Sequence, residues 1–301
     1  MIGPDVGPAP QELSMTYLVT GTSGHLGRLA VLALLERGVA PGDVVATARD
    51  TGAIADLADR GVTTRRLDYD DAASVADALE GVDRVLLVSA SVPGQRVAQH
   101  RTVIEAAAAA GVELLAYTSL LRADSSPLGL AAEHVATERL LAESGVPHVL
   151  LRNGWYLENY TENAGSALEH GAVLGAAGEG RISAATRADY AEAAAVALLE
   201  GTPGDVHELA GDTSFTMTEY AAALGEAAGR EVVYSDLSPA DYAAALQQAG
   251  LPEPVAAMLA DSDAGVAAGA LEDDGRALST LIGRPTTPLA DAVRRAPALV
   301  G

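Results

Sequence analysis

Short apolar runs separated by longer stretches of helical pattern set the rhythm of the chain from Thr16 onward. Runs at Thr16–Thr20, Asp43–Ala48, Val62–Leu67, Arg84–Ser89, Leu114–Thr118 and His148–Arg152 have the length of buried strands. Between them lie helical patterns, among them Leu26–Arg37, Ala72–Leu79, Arg96–Ala110 and Leu128–Ser144. Gly38, Gly81, Gly111 and Gly145 follow helical stretches as stop signals. Strands in strict alternation with helices indicate βαβ units, and so a doubly wound parallel sheet buried on both faces. Such sheets bind ligands beyond the carboxyl ends of their strands.

After about Asn153 the rhythm changes, with longer turns and fewer strands. Thr186-x-x-Asp189 and Thr216-x-x-Glu219 read as helix N-terminal boxes, and Ser238-Pro239 as a helix start. We expect residues 153–301 to form mainly a smaller α/β cap, with some segments returning to the sheet of residues 15–152. Residues 1–14, rich in Pro and Gly and ending just before Met15, are expected to be a disordered extension.

Candidate chemistry concentrates at the strand ends. Gly21, Thr22, Ser23, Gly24, His25, Leu26 and Gly27 follow the first strand and open the first helix. The first glycine permits the tight turn and the second a close backbone approach to phosphates. The third lets helix and strand pack closely, while the free N–H groups of the helix start face an anion. This is the pattern of a pyrophosphate site in a Rossmann-like NAD(P)-binding domain. Arg49 ends the second strand, where it suits a 2′-phosphate and favours NADPH; Asp50 beside it keeps NADH possible. Asp68 is placed either to accept from an adenine amine or to serve turn and cap chemistry. Ser89, Ala90 and Ser91 end the fourth strand, with small side chains suited to a ribose or nicotinamide. Asn153, Gly154, Trp155 and Tyr156 follow the sixth. Gly154 allows close approach, Trp155 or Tyr156 can stack on a flat ring, and Tyr156 can supply a proton.

Thr118 and Ser119 end the fifth strand. In short-chain dehydrogenases a serine near this point orients the substrate carbonyl, and a Tyr-x-x-x-Lys pair follows on the next helix. Here Leu130 takes the tyrosine slot and His134 the lysine slot, and Leu130 cannot transfer a proton. His134 lies one turn before Glu138, which could raise its pKa; alternatively it bonds a nicotinamide ribose or lies on the helix surface. His100 reads as structural.

Composition narrows the partners. The net charge is −22 and all 19 basic residues are arginine, which argues against nucleic acid or an anionic membrane. Without cysteine there is no thiol catalysis or disulfide. No apolar run approaches the ~20 residues that span a bilayer. A cytoplasmic monomer or homodimer is expected.

The Thr20–Gly27 turn, with Tyr117–Leu121, Ser126–Leu130, Leu151–Tyr156, Glu158–Tyr160, Ala185–Tyr190, Glu208–Asp212 and Met258–Asp263, resembles the NmrA-like branch of the atypical short-chain dehydrogenases. Within it the chain is similar to the bacterial type 2 NAD(P)H:quinone oxidoreductases. The resemblance covers nearly all of residues 16–297. It implies a Rossmann-like domain with a small C-terminal domain, binding NADPH and passing electrons to a quinone. Loss of the Tyr-Lys pair fits that chemistry, because a quinone gains aromaticity on accepting hydride and needs no tuned phenolate. Rival readings are an NmrA-like NADP(H) sensor with little turnover, and an epimerase or isoflavone-reductase-like enzyme, the Tyr-dependent version of which Leu130 disfavours.

Overall fold

The computed structural model describes residues 15–92 and 94–300; the expected extension at residues 1–14 lies outside them. In chain order the elements of the first half are β1 (Tyr17–Val19), α1 (His25–Glu36), β2 (Val44–Ala48), α2 (Ala55–Ala58), β3 (Thr63–Arg66), α3 (Ala72–Ala78), β4 (Arg84–Leu87), α4 (Arg96–Ala110), β5 (Leu114–Leu120), α5 (Ala131–Ser144) and β6 (His148–Asn153). The second half adds α6 (Glu158–Thr161), α7 (Ala164–His170), β7 (Ala172–Gly175), α8 (Arg187–Glu200), β8 (Val206–Leu209), α9 (Met217–Ala228), β9 (Val233–Asp236), α10 (Pro239–Gln248), α11 (Glu253–Ala267), α12 (Ala277–Ile282), α13 (Leu289–Arg294) and α14 (Pro297–Val300).

Seven strands form one parallel sheet in the order β3-β2-β1-β4-β5-β6-β8. The chain reverses its direction of winding between β1 and β4, whose registers pair Tyr17 with Arg84 and Val19 with Leu86. Alternate side chains along each strand feed two separate cores. Leu18, Val45, Val85, Leu87 and Leu115 meet Val75, Val103 and Leu141 of α3, α4 and α5, with Leu79 just past α3. Val19, Ala46, Leu86, Ala116 and Leu151 meet α1, α8 and α12 on the opposite face. Five of the contacts that α8 makes there are alanines: Ala191, Ala193, Ala194, Ala195 and Ala197 are buried. Small side chains let α8 lie close to both α1 and the sheet.

The predicted helix Leu128–Ser144 begins three residues later, at Ala131, because Leu128 to Leu130 form a turn in which the Leu128 carbonyl accepts from the Ala131 amide. The Gly stops occur as read: Gly38, Gly81, Gly111 and Gly145 all take positive φ. Thr186 and Thr216 both close reciprocal capping boxes, with Asp189 and Glu219. Residues 153–301 divide between two structures. Helix α8 and strand β8 complete the large sheet, β8 pairing with β6 from Leu150↔Val206 to Asn153↔Leu209. The rest encloses a third core of Leu157, Ile182, Phe215, Leu224 and Val266 beside the two-stranded parallel sheet β7-β9. Among the described residues no helix is long and apolar enough to cross a membrane.

Candidate functional site

A cleft of about 430 Å³ opens at the carboxyl ends of β1 to β4, where the winding reverses. Its floor is the glycine turn. Gly21 takes φ +62°, which a side chain rarely adopts, and its amide neighbour Thr22 donates to Thr47 O on β2 at 2.9 Å. A methyl on Gly27 would lie 2.6 Å from Gly21 O and 2.8 Å from Thr20 O, so only glycine lets α1 sit this close to β1. At Gly24 the same atom would meet Gly21 O at 3.3 Å, a milder conflict.

The start of α1 is bare of side-chain caps and first-turn acids, as are those of α4, α7 and α12, and it opens on the floor of the cleft. Asp71, Thr186, Thr216 and Ser238 cap α3, α8, α9 and α10 with their side chains. The N-cap of α1 is Gly24, with no side-chain cap and no acidic residue in the first turn. Its amides and the positive end of its dipole are left for an anion in the cleft.

Of the residues singled out in the sequence, Gly21, Ser23, Gly24, His25, Leu26, Gly27, Arg49, Asp68, Ser89, Ala90, Ser91, Thr118 and Tyr156 line this cleft. Arg49 is exposed at its rim. Asp50 is used locally, its Oδ1 accepting from Gly52 N at 2.9 Å. Asp68 sits on the wall, yet its carboxylate also accepts from Asp70 N at 3.2 Å and pairs with Arg66 at 3.4 Å. The Tyr156 hydroxyl is shifted to higher pKa by burial, an effect that Arg187 and Asn153 oppose.

Six others stand apart from the cleft wall. Thr22 is fully buried, and its hydroxyl donates to Thr47 O at 3.0 Å, tying the turn to β2. Asn153 ends β6, its carbonyl accepting from Leu121 N. Gly154 donates to Leu209 O at 2.8 Å, and a methyl there would meet the Tyr190 hydroxyl at 3.0 Å; its close approach is to protein. Trp155 packs against the core beside β7 and β9. Ser119 donates to Glu138 Oε1 at 2.6 Å. His134 is 7% exposed, with Nδ1 2.9 Å from the Tyr117 hydroxyl.

The expectation that Glu138 raises the His134 pKa is corrected. Glu138 turns to Ser119 and to Arg152, whose Nη2 lies 2.7 Å from Oε2. Burial, with Arg96 adding to it, depresses His134 to about 3, so the ring is neutral. His100 is likewise held near 3 by burial. Its Nε2 accepts the Ala90 amide at 2.9 Å, and Nδ1 lies 3.0 Å from Thr137 Oγ1, so it carries the cleft-lining loop.

Tyr69, Asp70, Gln99 and Arg187 also line the cleft and were not singled out in the sequence. The Tyr69 hydroxyl donates to Thr20 Oγ1 at 2.8 Å behind Gly21, and burial moves it up to about 12. Gln99 Nε2 meets both oxygens of Asp70 at 3.2 Å, joining α4 to the loop after β3. The guanidinium carbon of Arg187 stands 5.2 Å from the centre of the Tyr156 ring. Tyr69 and Asp70 adjoin Asp68 at a strand end, a signal that could have found them; Gln99 and Arg187 reach the cleft from helices and carry none.

Residues 21–200 match the family described as NAD(P)H-binding. The chain is 53% identical over 276 residues to Quinone oxidoreductase 2 of Escherichia coli, covering 91% of this chain and 96% of that protein. The crystal structure of an NADPH-dependent quinone oxidoreductase from E. coli, complexed with NADPH, superposes with a TM-score of 0.90 at 52% identity, covering 92% of this chain and 98% of that one. The Citrobacter sp. triphenylmethane reductase complexed with NADP(H) gives a TM-score of 0.89 at 33% identity, covering 93% of this chain and 100% of that one.

Proposed function

The chain belongs to the NAD(P)H-binding family, in its NmrA-like quinone oxidoreductase group, and on that premise we propose that it reduces quinones with NADPH bound in the cleft. The observation that carries the cofactor reading is the uncapped N-terminus of α1 opening into the cleft with Arg49 at its rim. The substrate class is supported by the likeness to the E. coli quinone oxidoreductase over nearly the whole of both chains.

When bound, the reduced nicotinamide supplies a hydride. The chain's own residues bind, orient and exclude water around it. Amides at the start of α1 take the pyrophosphate, and Arg49 takes the 2′-phosphate. Asp50, the residue that would suit NADH, accepts from the Gly52 amide with one oxygen, and Arg49 beside it is the cation on the cleft wall. Ser89, Ala90, Ser91 and Thr118 form a wall of small side chains for the ribose and nicotinamide. Tyr156 offers a flat ring against which a quinone stacks, and its raised pKa keeps the phenol protonated. Its hydroxyl can give a proton to the reduced ring, with water as the alternative source. His134 and Ser119 act here as supports, the first beneath the wall through Tyr117 and the second through Glu138. Catalysis then rests on holding donor and acceptor rings together in a dry cleft, because a quinone is a strong hydride acceptor.

Loss of nicotinamide absorbance with 1,4-benzoquinone, compared with a simple aldehyde and with NADH, tests this reading. We expect quinone-dependent turnover with NADPH preferred. Arg49→Ala should weaken NADPH by about 10- to 100-fold, the worth of a charge-assisted contact, with little change for NADH. Equal losses for both cofactors would defeat the 2′-phosphate assignment. Tight NADPH binding without turnover of any quinone would favour a nucleotide sensor.

A further inference from the structure

Arg187 is the first residue of α8, and its place is set from several sides. Its amide donates to both oxygens of Glu158 at 3.0 Å. Its guanidinium lies over the Tyr156 ring, and the side chain is 15% exposed. Nη1 is 2.5 Å from Oε1 of Glu162, which follows α6 in the cap. The same Oε1 lies 3.7 Å from Nδ1 of His25, the first residue of α1. Glu162, at 40% exposure, thus reaches from the cap to the edge of the glycine turn and holds a negative charge beside the anion-binding helix start.

A carboxylate and a pyrophosphate so close together repel each other, and both seek the same cation. The two partners are not equally free to move. Arg187 is fixed by its helix start and by stacking on Tyr156, whereas Glu162 is a half-exposed side chain in the short turn between α6 and α7. We infer that Arg187 binds the pyrophosphate of the dinucleotide, and that Glu162 is the carboxylate it releases in exchange. Glu162 fills the anion position in the free protein and sets a threshold for cofactor entry. This rests on the reading that the cleft takes NADPH.

The test is titration of NADPH by its fluorescence against wild type, Glu162→Gln, Arg187→Gln, Arg187→Lys and the double variant Glu162→Gln/Arg187→Gln. Glu162→Gln should tighten NADPH roughly threefold. Arg187→Gln should weaken it roughly tenfold or more, and Arg187→Lys should recover most of the loss. In the Arg187→Gln background the Glu162 substitution should give a clearly smaller gain, because only the direct repulsion is left to relieve. Adenosine 2′-phosphate, which carries no pyrophosphate, should bind wild type and Arg187→Gln alike; equal loss for it would overturn the inference. So would an unchanged NADPH affinity in Arg187→Gln, or a Glu162→Gln gain that is undiminished without Arg187. A wild-type protein that binds no NADPH would sink the cofactor reading itself, and this inference with it.

Discussion

Gly27 has no room for a methyl group. Both nearest atoms to an added Cβ are backbone oxygens, at 2.6 and 2.8 Å, and backbone cannot swing aside as a long side chain can. Gly27→Ala must therefore push α1 away from β1. We expect it to cost about 1–3 kcal/mol of stability and to weaken NADPH, since the helix start is displaced. Gly24→Ala, with its single 3.3 Å contact, should melt close to wild type. Thermal melts and NADPH titrations of the two variants check this, and equal behaviour would refute the packing role of the third glycine. The glycine spacing was legible because each glycine answers a local backbone demand. The fate of Ser119 was not. It sits beside Thr118 at the same strand end, but neighbouring side chains on a strand point to opposite faces. Thr118 lines the cleft and Ser119 turns to Glu138.

Helices α8 and α9 open with the same device in different surroundings. In each, a threonine caps the helix and an acidic residue three positions on returns a bond to the threonine amide. Asp189 is fully buried; besides Thr186 it accepts from Thr287 N at 3.1 Å and pairs with Arg284 Nη1 at 2.8 Å. Glu219 has a 55% exposed side chain. Removing Asp189 strands the partly buried donors at Thr186 and Thr287, while the half-exposed Arg284 keeps Glu192, so Asp189→Ala should cost about 2–3 kcal/mol. Glu219→Ala should cost about 1 kcal/mol or less. Urea unfolding separates the cases, and similar losses would show that burial does not set the worth of the box. The start of each helix is written in the local sequence, and both boxes were read there. That α8 belongs to the large sheet is not so written. Its alanines match the close approach of α1, a helix that begins 162 residues earlier in the chain.

At the scale of the molecule, acid resistance depends on imidazoles that fold uncharged. His100 and His134 both lie near 3 in the folded chain, chiefly through burial, against about 6.5 when free. The unfolded chain therefore takes up protons first as pH falls. Their contribution is intact above about 6.5 and is lost progressively toward 3, on the order of 2 kcal/mol per ring by pH 5. Asp263 acts in the opposite sense. Burial raises it to about 6, so its cost is present above that pH and is relieved as it protonates. Two histidines outweigh one aspartate, and the urea midpoint should fall between pH 7 and pH 5. A midpoint that does not move would overturn the neutral, buried assignment. What the sequence determined by itself was local: where strands and helices begin and end, the glycine turn, and the capping boxes. Each depends on residues within a few positions, through backbone dihedrals, hydrogen bonds and alternation. Tertiary structure decided which strand ends share a cleft and which side chains face it. Strand order brings β3, β2, β1 and β4 side by side, helices supply Gln99 and Arg187 from far along the chain, and burial turns His134 and Trp155 away from it. Those outcomes depend on contacts between segments that no local pattern encodes.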